Sequence, residues 1–453
     1  MKKQITTTNP YTNKTLETYG YFTDKAISKI LTVADKTFQS WKTESLSKRT
    51  ALLKNVAENL SSNKEEYSKL MTIEMGKPII ESIAEIEKCI YLCDFYAENA
   101  SLLLSDEIIE TDARESFISY DPLGCILGIM PWNFPFWQAF RFAIPTLTAG
   151  NTVVLKHASN VTGCALAIQD IFENSGYPKG CFTTLLTNHN TIENVIKNDI
   201  IKAVSLTGSE KAGRKIAEVA GSQLKKLVLE LGGNNACVVL NDADLDKHLN
   251  TMVKARMQNT GQSCIAAKRF IIEDGIYDAF LEKFTKKIEA LTFGDPLLED
   301  TEIGTLARED LADILEDQVN RSIEKGALVH YGNQRDKTYY QPTILTEVTK
   351  DMPVFTEETF GPVVAIVKVS NKEDAYKMIS DTKFGLGTMI FSKDIKGAKQ
   401  RIIDIEDGAF FINEMVKSDP RLPFGGTKKS GYGRELSREG ILAFTNKKTV
   451  YIK

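Results

Sequence analysis

The sequence predicts an α/β protein made of two α/β domains in series, and three observations lead there. From Gly124 onward, short β-branched runs alternate with helical stretches, the pattern of a parallel sheet covered on both faces. A second block of the same texture starts near Arg269. The chain has 453 residues, too many for one core of roughly 150 residues, so two such blocks fit its length.

The elements follow in order. Behind Thr23, a predicted N-cap, Ile27, Ile30, Leu31, Ala34, Phe38 and Trp41 recur at helical spacing. Leu52, Leu53, Val56, Ala57 and Leu60 repeat the stripe, and Ile79, Ile83, Ile86 and Ile90 carry a third, with Gly76 and Pro78 as the break. Residues 153–155, 203–206, 227–229 and 236–240 read as strands. Residues 165–173, 192–197 and 214–220 read as the helices between them. The second block places strands at 269–273, 363–369 and 409–412 and a helix at 276–291.

Composition narrows the function classes. A chain 42% hydrophobic and 26% charged is neither disordered nor a disulfide scaffold. The 56 Lys and Arg against 60 Asp and Glu give a net charge of −4, so no nucleic-acid footprint is expected. Seven cysteines without CxxC spacing read as reduced thiols of a cytoplasmic protein. His157, His189, His248 and His330 are scattered, so no metal site is expected. No run of 18 apolar residues occurs, so neither a membrane span nor a targeting segment is expected.

The usual nucleotide signatures are missing. There is no GxGxxG, and Gly208 and Gly213 are followed by Arg214 and Lys215 where a phosphate loop needs Lys and Ser or Thr. Three other features carry chemistry. Cys264 lies in the polar turn Asn259-Thr260-Gly261-Gln262-Ser263-Cys264 after an amphipathic helix, where a thiol can be reached; the other six cysteines lie in apolar or helical surroundings. Glu230 ends a predicted strand, at the end of a parallel sheet that binds ligands; it reads as a general base if buried and as a solvated charge otherwise. Pro131-Trp132-Asn133-Phe134-Pro135 fixes a donor amide between two prolines, an oxyanion stabiliser or a packing turn.

Taken together, these segments resemble the aldehyde dehydrogenase superfamily over nearly the whole chain. The matches run in register: Pro131 to Pro135, Lys156, Thr207-Gly208-Ser209, Glu230-Leu231-Gly232-Gly233, Gly261-Gln262-Ser263-Cys264, Glu358-Thr359-Phe360-Gly361-Pro362, Pro423-Phe424-Gly425-Gly426 and Ser430-Gly431. The resemblance implies a Rossmann-like cofactor domain at 1–102 and 123–232 and a catalytic domain at 233–439. A small β element at 103–122 and 440–453 would join subunits into a homodimer or homotetramer. It also implies that Cys264 attacks an aldehyde, that Asn133 and the Cys264 N–H hold the oxyanion, and that Glu230 activates water against the thioester.

By the same resemblance, Lys156 reaches the adenosine ribose. Ser209, at the start of the helix after Thr207-Gly208, meets the pyrophosphate, Glu358 holds the nicotinamide ribose, Phe360 borders the ring, and Trp132 lines the same cleft. Many NAD-preferring members carry a glutamate three residues after the lysine. Ser159 stands there in this chain, which removes a carboxylate that would repel a 2′-phosphate, so NADP is the expected cofactor with NAD also accepted.

Residues 156–160 and 416–423 resemble bacterial succinate-semialdehyde dehydrogenases, whose substrate carries a distal carboxylate. Arg141 then becomes the carboxylate clamp, or else part of a helix-surface salt bridge, with Trp137, Ser263 and Ser418 lining the tunnel. Three departures stand out: Gln258 where some relatives have a second arginine, Ala266 where some have a second cysteine, and Asn234 in place of the usual lysine. Two other readings stay open, the same chemistry on another small aliphatic aldehyde and a catalytically silent nucleotide-binding module.

Overall fold

The computed structural model describes residues 4–453. Thr23 caps the first helix, Asp24–Trp41, by accepting from the Ala26 N–H, and that helix buries Ile27, Leu31, Ala34, Phe38 and Trp41 as its spacing predicts. Leu46–Ser62 follows, and Gly76 stops the next helix, Lys64–Met75, in the left-handed conformation that a residue without Cβ adopts freely. Pro78 then precedes the long helix Ile79–Leu103. The amino-terminal hairpin of Gln4–Thr8 with Thr15–Gly20 was not predicted. Its threonines and charged residues hide the alternation that marks a strand.

Two large sheets organise the rest. The first has the order Gly431–Tyr432, Lys226–Glu230, Ile201–Thr207, Cys125–Met130, Thr152–His157, Phe182–Thr184, parallel except for the first strand. Its chain runs outward from Cys125–Met130 in one direction and then resumes at Ile201–Thr207 on the other side. That creates a switch point between these two strands. The second sheet has seven strands, with Asn235–Val239 flanked by Ala267–Glu273 and Thr388–Phe391. The two sheets are not cleanly successive, because Gly431–Tyr432 returns from beyond the second sheet to pair with Lys226–Glu230.

A separate antiparallel sheet joins Glu107–Ile108, Glu115–Pro122 and Thr445–Ile452. Its strands lie within the two segments that the sequence marked for subunit pairing. Among the described residues no helix is long and apolar enough to cross a membrane, and no cluster of His, Cys, Asp or Glu could hold a metal ion.

One buried ion pair fixes the helix that leads into the cleft. Lys77 and Glu85 are both buried and paired, and the second carboxylate oxygen of Glu85 accepts from the N–H groups of Phe136 and Trp137, each at 2.9 Å. Those donors open the helix Pro135–Thr148, so Glu85 satisfies a helix start that would otherwise be buried without acceptors. Glu85→Ala should therefore cost about 3–5 kcal/mol, since it strands a buried lysine. Equilibrium urea unfolding measures this, and a loss below about 1 kcal/mol would contradict the argument.

Candidate active site

The predicted residues come from opposite ends of the two sheets. Asn133, Lys156, Thr207 and Glu230 lie at or just beyond the carboxyl ends of parallel strands in the first sheet, on both sides of its switch point. Cys264 and Glu358 precede the amino ends of Ala267–Glu273 and Val363–Val369 in the second. The cleft is thus bounded by one sheet's outgoing chain and the other's incoming chain.

The nucleophile candidate sits on an unusual backbone. Asn259, Thr260 and Gly261 all have positive φ (56°, 54° and 73°), a conformation that a β-branched threonine rarely adopts. Hydrogen bonds hold it there. The Asn259 side chain donates to the carbonyls of Asn133 and Gln262, its N–H donates to Glu81, and Gln262 donates to the carbonyls of Asn259 and Thr305. On the far side Lys268, fully buried, donates to the carbonyls of Ser263 and Cys264 at 2.8 and 2.9 Å.

Cys264 is partly exposed while the other six cysteines are buried, as expected. Burial pushes its thiol up to about 11, against the pull of Lys268 and Arg141.

Glu230 is buried, so the solvated-charge reading fails. Among the described residues no side chain hydrogen-bonds its carboxylate, and the backbone at Gly426 is the one polar group that helps to hold its charge from the main chain. Burial first, and then the neighbouring Glu435, hold its pKa well above the ordinary carboxylate value, although Arg141 and Arg434 pull it down. Arg141 itself pairs with Glu435 at 2.5 Å, lies over the Phe424 ring at 4.6 Å and approaches the Thr207 hydroxyl at 3.5 Å. Arg141 thus sits in a buried salt bridge, not in the helix-surface one that the sequence offers as the alternative.

Asn133 is buried, and its amide donates one hydrogen to the Gln262 carbonyl at 3.0 Å, which leaves the second hydrogen uncommitted. Gly232 and Gly233 permit a close crossing beside it. A Cβ on Gly232 would lie 2.3 Å from the Glu358 carboxylate, and one on Gly233 would lie 2.7 Å from the Cys264 carbonyl. Glu358 accepts from the Gly233 N–H at 2.9 Å and stands 3.4 Å from Lys268. Trp132 and Phe360 meet edge to face, 5.7 Å between centroids.

The remaining cofactor candidates lie outside this cluster, on the neighbouring strand ends. Lys156 is buried with no ion-pair partner among the described residues, and burial lowers its pKa to about 8. The Ser159 residue is exposed. Ser209 caps the helix Glu210–Ser222 by accepting from Ala212.

A cavity of about 240 Å³ opens on Cys264. Trp137, Arg141, Ser263 and Ser418 all line it, so the four substrate candidates are brought together with the thiol, and Gln258 is there as well. Lys268, Glu435 and Lys88 are functional candidates that the sequence reading missed. Lys268 had a signal, a charge at the start of an apolar strand whose residues are all buried. Lys88 had one too, since Glu81, Glu85 and Lys88 share one helix face at spacings of four and three. Glu435 lies in a loop and had none.

The profile of the aldehyde dehydrogenase family matches residues 1–450. A Synechocystis protein named "Probable succinate-semialdehyde dehydrogenase [NADP(+)]" is 48% identical over 99% of both chains. A Mycobacterium tuberculosis protein named "Succinate-semialdehyde dehydrogenase [NADP(+)] 1" is 43% identical over 99% of both. Among solved structures, succinic semialdehyde dehydrogenase from Streptococcus pyogenes in complex with NADP+ superposes with a TM-score of 0.97 at 38% identity, covering 99% of each chain. A lactaldehyde dehydrogenase reaches 0.96 at 30% identity over all of this chain and 96% of its own, so the shared fold alone does not select a substrate.

The thiol geometry makes a direct prediction. Iodoacetamide should label Cys264 ahead of the six buried cysteines, and its rate should keep climbing between pH 7 and 10, because the thiolate fraction of a group near 11 grows throughout that range. Peptide mapping by mass spectrometry follows both. A plateau at or below pH 8 would contradict the buried-thiol picture.

Proposed function

This chain belongs to the aldehyde dehydrogenase family, and from that premise we propose that it oxidises succinate semialdehyde to succinate with NADP. The observation that supports the family chemistry is that Asn133 donates to the Gln262 carbonyl, two residues before Cys264, and that Glu230 lies near enough to Cys264 to act on its thiol. The substrate rests on the full-length relatives and on the cationic cavity beside the thiol.

Cys264 gives up its Sγ proton to solvent and the thiolate adds to the aldehyde carbon, and the free hydrogen of the Asn133 amide, with the Cys264 N–H, meets the oxyanion that this addition creates. When bound, the dinucleotide supplies the hydride acceptor, which leaves an acyl group on Cys264. Glu230 then takes a proton from water as that water attacks the thioester carbon, freeing the thiol and giving the carboxylate. A buried carboxyl suits this task, because burial raises its basicity.

The strand ends fit a phosphorylated dinucleotide. An unpaired lysine at Lys156 and an exposed residue at Ser159 offer a cation and a hydroxyl to a 2′-phosphate, with no glutamate to repel it. Thr207, Gly208 and Ser209 lead into a helix start whose N–H groups suit a pyrophosphate. Glu358 takes the nicotinamide ribose between the close-crossing glycines, and Trp132 and Phe360 border the ring. On this reading residues 1–102 and 123–232 bind cofactor, and 233–439 carry the nucleophile. Residues 103–122 and 440–453 present an edge strand that pairs subunits into a homodimer or homotetramer. Seven cysteines without a disulfide suit a cytoplasmic setting.

Two measurements test this. Ser159→Glu should move the NADP/NAD ratio of kcat/KM toward NAD, and an unchanged ratio would refute the charge argument. Glu230→Gln should still release a burst of reduced cofactor near one equivalent per site, while steady turnover falls about 10²- to 10⁴-fold. Turnover near that of the unmodified enzyme would remove Glu230 from the deacylation step.

A further inference from the structure

Of the cations that line the cavity, Arg141 is already neutralised by Glu435 at 2.5 Å, Lys417 is paired with Glu414 at 3.1 Å, and Lys254 is solvent-exposed. Lys88 differs from all three. It comes from the helix Ile79–Leu103, is half-buried, and has no carboxylate within ion-pair distance among the described residues. Its ammonium lies over the face of Trp137, 4.1 Å from the ring centroid.

The hydrogen-bond accounting around it points outward. Lys88 donates to the Ser418 hydroxyl at 2.8 Å, and Trp137 Nε1 donates to the same oxygen at 3.0 Å. A serine hydroxyl has two acceptor sites and one hydrogen. Both acceptor sites are filled, so the Ser418 hydrogen is left to donate, and no group of the chain accepts it among the described residues. Lys88 likewise keeps two of its three N–H groups uncommitted. The acids nearby do not supply the missing acceptor. Glu85 is engaged by Lys77 and by the N–H groups of Phe136 and Trp137, Asp419 by Arg421 at 2.6 Å, and Glu81 by the Asn259 N–H.

We infer that Lys88 and Ser418 form the primary anchor for the substrate's distal carboxylate, with the paired Arg141 in a supporting place on the same wall. An anionic oxygen would complete three open donors at once, each in a charge-assisted or partly buried setting. It would also relieve a cation held next to another, since burial and Arg141 together push Lys88 down to about 8. An uncharged aldehyde gains none of this, so Lys88 sets specificity and takes no part in the chemistry at Cys264.

The inference rests on the substrate reading above, and one experiment separates them. kcat/KM is measured for succinate semialdehyde and for butanal with the unmodified enzyme, Lys88→Met and Lys88→Arg, and the ratio of the two substrates is compared. The unmodified enzyme should favour succinate semialdehyde. Lys88→Met should lower that ratio about 10- to 100-fold, the factor for one charge-assisted hydrogen bond, mainly through KM. Lys88→Arg, which keeps the charge over Trp137, should restore most of it. A ratio that survives in Lys88→Met would overturn the anchor alone. An unmodified enzyme without the preference would overturn the substrate reading and the anchor with it.

Discussion

A thiol has to be presented on a backbone that does not relax, and the site depends on how that backbone is held. Asn259, Thr260 and Gly261 occupy left-handed conformations in succession, which a free loop would abandon. Two buried cations keep the surroundings in place by hydrogen-bonding carbonyl oxygens. Lys268 binds those of Ser263 and Cys264, and Arg256 binds those of Thr359, Gly361 and Val363. The segment that leads to Cys264 and the segment carrying Glu358 and Phe360 are thereby tied to adjacent buried positions.

This use of cations explains the electrostatic character of the cleft. A buried lysine or arginine that solvates carbonyls keeps much of its field, because carbonyl dipoles do not neutralise it. Lys268 accordingly pulls the Cys264 thiol down, though burial prevails. Arg141 is handled differently, since Glu435 compensates it, and Glu435 in turn raises Glu230. One arginine and two carboxyls therefore form a unit in which the state of the proposed base depends on a loop residue far along the chain. Lys268 also stands 3.4 Å from Glu358, so a cation from a neighbouring strand faces that carboxylate.

The fold was legible where periodicity and burial agree. The stripe of Ile27 to Trp41 and the runs that became Ile201–Thr207 and Val363–Val369 state their surroundings directly. The Gln4–Thr8 hairpin was not, because threonines suit strand and loop alike. At the site, Cys264 could be singled out from its polar turn, but the burial of Glu230 could not. A strand-end carboxylate looks the same in sequence whether water or Gly425 lies against it, and here a Cβ on Gly425 would come within 2.6 Å of that carboxylate. Partnerships over long separations, such as Arg141 with Glu435, leave no local trace at all.

The distribution of sulfur has a consequence for life under oxidants. Six thiols are sealed in the interior, and the seventh stands alone in the cleft, with Ala266 where a neighbouring cysteine would be needed to trap it. A sulfenic acid formed on Cys264 would find no internal thiol with which to condense. Peroxide damage would therefore fall on Cys264 first, and repair would have to arrive as a small thiol from solution, entering by the cavity that opens on it.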